Sequence, residues 1–253
     1  MRHTGRMRSP RTALTAISLA LLVATAGCGS DDKQTLTVLA AASLTDVFED
    51  LAAEFEASHD GTTIEFSFGS STALAEQVAD GAPGDVLATA DAASMQLVED
   101  AGVTEEVTVF ATNVLTIVTP AGNPAGIETL DDLDDTTWVR CTDEAPCGRI
   151  ATAVLDSNDI TAEPASLEED VRATLDKVVA GEADAGLVYA TDAVAAGDAV
   201  TAVPIPGAES VPTSYVTAAL AQSADAELAQ DWIDFLVSPE GRAVLERAGF
   251  GAP

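Results

Sequence analysis

Histidine and basic side chains are scarce in this chain. Its 253 residues include two histidines and 11 Lys or Arg against 42 Asp or Glu, which gives a formal net charge of −31 at pH 7. This balance argues against nucleic-acid binding, because contacts to phosphate backbones need stripes of Lys and Arg. With His3 and His59 as the only histidines, the chain also lacks the usual residues for acid–base catalysis, and we expect no enzyme activity.

Aromatic residues are few as well, at 4% of the sequence, so surfaces that stack bases are not expected. Apolar residues make up 47%, however, which argues against global disorder despite the charge. The length suits one or two domains with a substantial core. At first sight the acidity also argues against an anionic ligand.

The first 27 residues have the pattern of an export signal. Four arginines precede an apolar run at 13–25, and no acidic residue lies in this part of the sequence. The run is shorter than the roughly 20 residues that span a membrane, and it suits a secretory signal. Small residues lead into Cys28 as in a bacterial lipobox, which predicts cleavage before Cys28 and a lipid on its sulfur. An ordinary signal peptide with an incidental cysteine is the alternative.

We therefore expect a signal peptide at 1–27 and a lipid-anchored tether at 28–34, with the mature protein held on the outer face of the cell membrane. Cleavage removes four arginines and leaves seven basic side chains against 42 acidic ones. Anion binding by the mature chain would therefore have to rest mainly on neutral, oriented hydrogen-bond donors.

Two further cysteines, Cys141 and Cys147, lie six residues apart. In an exported chain, a disulfide that closes this short loop is the leading interpretation. Metal binding is the alternative, although no histidine lies nearby and two thiolates make a poor site. A redox role is disfavoured because the spacing is not Cys-x-x-Cys.

Strand-like and helix-like segments alternate along most of the chain, which indicates an α/β fold with largely parallel sheets. Strands are predicted at 35–40, 62–68, 85–90, 107–118, 137–141, 185–190, 200–205 and 215–221. Helices are predicted at 43–55, 69–81, 92–101, 147–156, 167–180, 191–196, 224–237 and 239–248.

The long β-rich stretch at 107–118 separates two α/β units and suggests two lobes. We predict a first lobe built from 35–112 and from 206–253, where the chain returns, and a second lobe at 113–205. A cleft between two lobes is a common ligand site.

Small residues mark several predicted helix starts, at 40–43, 69–72, 146–148 and 170–172. Small side chains let backbone amides approach a ligand, and the free N–H groups and the helix dipole favour an anion there. Ordinary capping explains each serine at these starts equally well.

Taken together, these segments resemble a known family. The residues are Ala40-Ala-Ala-Ser-Leu-Thr45, Phe68-Gly-Ser-Ser71, Gly81-Ala-Pro-Gly-Asp-Val86, Asp170-Val-Arg172 and Gly186-Leu-Val-Tyr-Ala-Thr-Asp-Ala193. Their order and spacing are similar to those of the periplasmic molybdate-binding proteins of ABC importers, along essentially the whole mature chain. The resemblance implies a two-lobed type II periplasmic-binding-protein fold, in which each lobe is a mixed, mostly parallel sheet flanked by helices.

The resemblance also implies a ligand and partners. A tetrahedral oxyanion, molybdate or tungstate, would be held between the lobes of a monomer and delivered to an ABC permease and its ATPase. No cofactor is implied, and a metal would reach the site only inside the oxyanion. Sulfate or another small anion is the alternative ligand, because discrimination between sulfate and the larger molybdate would depend on the size of the cavity.

Five residues of this chain fall on the family's oxyanion-binding positions. Hydroxyl donors are implied at Ser43, Ser71 and Tyr189, and backbone amide donors at Cys147 and Val171. Ser70 remains open as the neighbour that could take the role of Ser71. Cys147 departs from the usual small apolar residue, which an amide donor tolerates. Plain structural interpretations are helix capping for the serines and core packing for Tyr189 and Val171.

A site built only of donors suits a dianion such as molybdate, tungstate or sulfate, which carries no proton at neutral pH. We expect Arg172 to form a salt bridge with Glu168, Glu169 or Asp170, and a position near the ligand is the alternative.

Overall fold

The computed structural model describes residues 34–104 and 106–253. The predicted signal peptide at 1–27, the predicted lipidation site Cys28 and all but the last residue of the predicted tether lie outside these residues. Among the helices of the described part of the chain, none is both long enough and apolar enough to cross a membrane.

Two five-stranded sheets organise the described residues. The first sheet has the order β2-β1-β3-β10-β4 and the second has the order β7-β6-β8-β5-β9. The strands of the first are β1 (Gln34–Ala41), β2 (Thr62–Gly69), β3 (Val86–Thr89), β4 (Thr108–Asn113) and β10 (Thr213–Ala219). Those of the second are β5 (Leu115–Pro120), β6 (Trp138–Cys141), β7 (Ser166–Glu168), β8 (Ala185–Tyr189) and β9 (Val200–Pro204).

Both sheets are mixed in the same way. In the first sheet β1 is parallel to β2 and β3, while β10 is antiparallel to β3 and β4. In the second, β6 is parallel to β7 and β8, while β5 is antiparallel to β8 and β9. Every residue of the central strands β3 and β8 is buried, as expected for apolar runs covered on both faces. The predicted α/β class is confirmed.

Eight α-helices cover the sheets of the described residues. They are α1 (Thr45–Ser58), α2 (Ser71–Ala79), α3 (Ala92–Asp100), α4 (Pro146–Ser157), α5 (Val171–Val179), α6 (Ala190–Ala196), α7 (Ala226–Val237) and α8 (Pro239–Arg247). A short 3₁₀ turn at Ala42–Leu44 precedes α1.

Helix α1 shows why the apolar spacing produces this packing. Val47, Phe48, Leu51 and Phe55 recur every three to four residues and are all buried. Phe48 and Phe55 meet the ring of Trp232 on α7 edge to face, with centroid distances of 5.6 and 5.3 Å. These pairs attach both helices to the core of the first sheet.

The predicted single strand at 107–118 is two strands in different sheets. The break falls between β4 and β5, where the side-chain Oδ1 of Asn113 accepts the N–H of Val114 at 2.9 Å. This local bond draws that N–H away from the ladder and lets the chain pass from the first sheet to the second. The chain returns between the end of β9 and the start of β10.

The predicted helix at 167–180 is also wrong at its start. Residues 166–168 form the edge strand β7, and α5 begins only at Val171. The side chain of Asp170 accepts the N–H groups of Arg172 and Ala173, so the helix is capped at this point.

Candidate functional site

A narrow cavity lies where the carboxyl ends of strands from both sheets meet. Strands β1, β2 and β3 of the first sheet and β6 and β8 of the second end around it, as do ligand sites in many α/β folds. The starts of α2, α4 and α5 also face it. The lining residues are Ala41, Ala42, Ser43, Gly69, Ser70, Ser71, Ala90, Ala145, Pro146, Cys147, Asp170, Val171 and Tyr189.

All five residues expected to bind an oxyanion therefore line one cavity, although they come from five separate segments of the chain. About 210 Å³ of space lies between the lining residues, part of it open to solvent, but the centre of a water molecule could occupy only about 10 Å³ of it. That space is near the minimum for one water molecule, so the cavity suits a small, compact ligand.

The first sheet contributes two buried serines. Ser43 lies in the 3₁₀ turn after β1 and is 7% exposed, while Ser71 begins α2 and is 2% exposed. The Oγ atom of Ser71 accepts the N–H of Ala90 at 3.0 Å, which leaves its hydroxyl hydrogen available to the cavity. Ser70 is less buried and makes no side-chain capping bond to α2.

The second sheet contributes two helix starts. Helix α4 begins with Pro146, and no side chain caps it, so the N–H of Cys147 in its first turn has no partner within the helix. In α5 the cap formed by Asp170 reaches the second and third residues of the helix and leaves out the N–H of Val171. Both amides lie at the positive ends of helix dipoles, which favour an anion.

Cys147 is linked to Cys141 by a disulfide, with 5.7 Å between the Cα atoms. Gly148, the next residue, lies against the backbone of the same loop: a Cβ atom there would overlap the carbonyl oxygen of Thr142. Only glycine lets α4 begin this close to the loop. The disulfide and the glycine together hold the start of α4, and with it the Cys147 amide, at the cavity.

Tyr189, at the end of β8, is 1% exposed, and its hydroxyl has no hydrogen-bond partner among the described residues. Burial raises the pKa of Tyr189 well above its usual range, so the hydroxyl keeps its proton and acts as a neutral donor. A buried hydroxyl without a partner is costly. A ligand oxygen in the cavity would supply the missing acceptor.

Two arginines lie beside the cavity, and each bonds to a carboxylate of an element that packs on the other sheet. The guanidinium of Arg149, on α4, is 2.7 Å from a carboxylate oxygen of Asp91, which caps α3. It also donates to Ser94 Oγ at 2.9 Å and to Thr72 Oγ1 at 3.2 Å. These bonds cross the space between the two sheets and hold them together next to the cavity.

The expectation for Arg172 is wrong. Its guanidinium pairs with Asp46 on α1 and lies 3.9 Å from the buried carboxylate of Asp192, rather than pairing with the neighbouring acids in the sequence. The side chain of Asp170 is instead turned toward the N–H groups of its own helix, and Glu168 pairs with Lys177. Arg172 thereby reaches toward the first sheet.

Known proteins resemble this chain in sequence along most of its length. The family model for bacterial extracellular solute-binding proteins matches residues 36–251. The chain belongs to that family. A curated relative of this solute-binding protein is the "Molybdate-binding protein ModA" of Mycobacterium tuberculosis (strain ATCC 25618 / H37Rv). It is 35% identical over 251 residues, and the match covers 94% of this chain and 96% of the relative.

Solved structures share the fold of this solute-binding protein. The periplasmic molybdate-binding protein of Azotobacter vinelandii has a TM-score of 0.77 at 21% identity, with 86% of this chain and 99% of that chain covered. The sulfate-binding protein SubI of M. tuberculosis H37Rv has a TM-score of 0.77 at 20% identity, with 86% of each chain covered. At these identities the likeness shows the fold alone, and it confirms the predicted periplasmic-binding-protein architecture.

Several polar residues beside the site of this solute-binding protein were not predicted from the sequence. Tyr215, on β10, lies 2.8 Å from the Oγ atom of Ser43, and Asn113 lies 3.4 Å from the Tyr215 hydroxyl. Tyr215 is 172 residues from Ser43 along the chain. Sequence spacing carries no signal for a contact of that kind. The helix-start pattern did point to lining residues in four segments, and the family resemblance pointed to Tyr189.

Proposed function

We propose that this solute-binding protein captures molybdate, and tungstate with it, in the cavity between the two sheets and delivers it to an ABC importer. The observation that carries the proposal is the buried Tyr189, which lines a cavity with neutral donors from both sheets and whose hydroxyl has no partner among the described residues. The choice of anion is supported by the relative named as molybdate-binding.

Five donors would hold the oxyanion: the hydroxyls of Ser43, Ser71 and Tyr189 and the amides of Cys147 and Val171. A hydrogen bond to a charged group contributes about 1.5–3 kcal/mol. Several such bonds, oriented before the ligand arrives, give tight binding without any Lys or Arg. We favour Ser71 over Ser70 because it is more deeply buried and Ala90 already fixes its oxygen.

Each sheet, with its helices, would form one lobe: residues 35–112 and 206–253 on one side and 113–205 on the other. The protein would act as a monomer and a binding component, not as an enzyme, with the permease and its ATPase as partners. The large negative charge does not oppose this role, because salt screens the bulk field over about 8 Å while the donors act at contact distance.

Export through the signal at 1–27 and a lipid on Cys28 would hold the protein on the outer face of the cell membrane. Metabolic labelling with a fatty acid tests the anchor. We expect label on the wild type and none on the Cys28→Ala variant. Wild-type protein without label, or label that persists on the variant, would contradict it.

Isothermal titration of the mature protein with molybdate, tungstate, sulfate and phosphate tests the ligand. We expect tight binding of molybdate and tungstate, weaker binding of sulfate and little binding of phosphate. Ser43→Ala should weaken molybdate binding, whereas Ser157→Ala, which removes an exposed serine hydroxyl at the far end of α4, should not. Tight sulfate binding with no response to molybdate would overturn the assignment in favour of a sulfate-binding protein.

A further inference from the structure

We propose that Tyr215 is a positioning residue that holds the Ser43 hydroxyl as a hydrogen-bond donor and so makes the site select oxyanions that carry no proton. The proposal rests on the proposed function and deepens it, because it concerns how the same site chooses its ligand. It is carried by a chain of buried hydrogen bonds that runs from β4 to the cavity.

The chain of hydrogen bonds has three members behind Ser43. The hydroxyl of Tyr215 is fully buried and lies 2.8 Å from Ser43 Oγ. The Nδ2 atom of Asn113 lies 3.4 Å from the same hydroxyl and donates to Thr191 Oγ1 at 2.8 Å. None of these three residues lines the cavity. The Tyr215 hydroxyl therefore acts on a ligand through Ser43, while the Tyr215 ring packs on Tyr189 and stays in place when the hydroxyl is removed.

The orientation of the Asn113 side chain sets the direction of these hydrogen bonds. Its Oδ1 atom accepts the N–H of Val114 at 2.9 Å, which sets the orientation of the amide and leaves the nitrogen facing Tyr215. An amide nitrogen donates and does not accept. The Tyr215 oxygen therefore accepts from Asn113, and among the described residues the Ser43 oxygen is the acceptor within reach of the Tyr215 hydrogen, so we infer that Tyr215 donates to Ser43. Burial raises the pKa of Tyr215 far above its usual range, so that hydrogen is retained.

With its oxygen accepting from Tyr215, Ser43 keeps its own hydrogen to donate into the cavity that it lines. Ser71 is in the same state by a different route, since its oxygen accepts the N–H of Ala90. Asp170 also lines the cavity; the N–H groups of Arg172 and Ala173 bind its Oδ1 atom, while no described residue donates to its Oδ2 atom.

A ligand oxygen that carries a proton would therefore face hydrogens at Ser43 and Ser71. Phosphate retains at least one proton at neutral pH, whereas molybdate, tungstate and sulfate retain none. Selection against protonated oxyanions follows from the direction of the hydrogen bonds, in addition to any selection by size.

The Tyr215→Phe variant removes the hydroxyl and leaves the ring in the core. The Ser43 hydroxyl can then rotate and accept as well as donate. We expect the Kd for molybdate to rise about tenfold, the value of one ordinary hydrogen bond, while the Kd for phosphate stays the same or falls. The selectivity ratio, which is the Kd for phosphate divided by the Kd for molybdate, should drop by about tenfold or more. Thr217→Val is the matched control, because it removes another fully buried hydroxyl from β10 with no link to Ser43 and should leave the ratio unchanged.

A double-mutant cycle separates positioning from a general structural effect. In a Ser43→Ala background, Tyr215→Phe should have no further effect on molybdate affinity. An equal loss in both backgrounds, or an unchanged ratio in the single variant, would overturn the proposal. If Tyr215→Phe does not fold, Asn113→Ala tests the same chain with the aromatic core intact, and the ratio is again expected to fall.

The experiment also distinguishes this proposal from the proposed function. If the wild type binds sulfate and not molybdate, the ligand assignment fails. The double-mutant cycle is then run with sulfate, which is also unprotonated. The Kd for phosphate divided by the Kd for sulfate decides whether Tyr215 positions Ser43.

Discussion

Replacing Tyr189 by Phe removes one oxygen atom and keeps the ring that packs in the core. The ring contacts Tyr215 edge to face, with centroids 5.9 Å apart, and neither that contact nor the fully buried environment needs the hydroxyl. Because the hydroxyl has no partner among the described residues, its removal breaks no hydrogen bond within them. The perturbation is therefore confined to the donor that we assign to the ligand.

The size of the effect follows from the chemistry of that bond. A hydrogen bond to a charged oxygen contributes about 1.5–3 kcal/mol. Since about 1.4 kcal/mol corresponds to a tenfold change in affinity, the Kd for molybdate should rise by about 10- to 100-fold. The stability of the unliganded protein should stay the same or increase, because burial of a hydroxyl without a partner costs about 1–3 kcal/mol.

Isothermal titration with molybdate and thermal unfolding without ligand measure the two quantities on the same preparation. Weaker binding combined with an equal or higher Tm supports the assignment of Tyr189 as a ligand donor. An unchanged Kd would refute it. So would a loss of affinity that is matched by a large fall in Tm, since that pattern would mean that the hydroxyl supports the fold.

Three further predictions concern contacts around the cavity. The Arg149→Gln variant loses the ion pair with Asp91 that joins the two sheets, and we expect molybdate affinity to fall by about three- to tenfold in titrations, with a smaller loss at high salt. Replacing Cys141 and Cys147 together by Ser should lower the free energy of unfolding by about 2 kcal/mol in thermal or denaturant unfolding. It should affect molybdate affinity less, because the amide donor remains. Burial raises the pKa of Asp192 to about 7 from an ordinary value of 3.8, so the folded chain holds a proton there that the unfolded chain has lost. This group's contribution to stability therefore falls as the pH rises from about 4 to about 7, and the Tm gained by Asp192→Asn should be larger at about pH 8 than at about pH 5.

Matched controls make these outcomes decisive. Arg140 pairs with Asp143 inside one side of the molecule, so Arg140→Gln should leave molybdate affinity unchanged; an equal loss in both arginine variants would contradict the bridging role of Arg149. If a reductant does not change the Tm of the wild-type protein, or if the mass shows free thiols at Cys141 and Cys147, the disulfide is contradicted. A Tm difference for Asp192→Asn that does not vary with pH would contradict the raised pKa.

Most of the fold could be predicted from local patterns. Strand β3 and helix α1 have apolar residues at clear periods, and their observed bounds lie close to the predicted ones. The passage between lobes was predicted at 112/113, but the division of 107–118 into two strands was not, because β-prone residues flank Asn113 on both sides and no Gly or Pro marks the point. The late start of α5 did have a signal: Asp170 is a good cap for the helix that follows it.

The site was predictable in a different way. The lining residues were found because they belong to short segments with a known order, each of which can be examined alone. Tyr215 and Asn113 lie in strands whose sequences show only β propensity, and their polar side chains acquire partners only when β4 and β10 pair. Contacts between distant strands depend on the complete topology, which no local pattern contains.

Gly148 sets the distance between the first turn of α4 and the loop at Cys141 and Thr142. The residue does not line the cavity, yet any larger side chain there would push the first turn of α4 away from the loop behind it. The Cys147 amide, which lines the cavity, would move with the turn and change the shape of the cavity. The shape of the cavity therefore depends on a residue that does not line it.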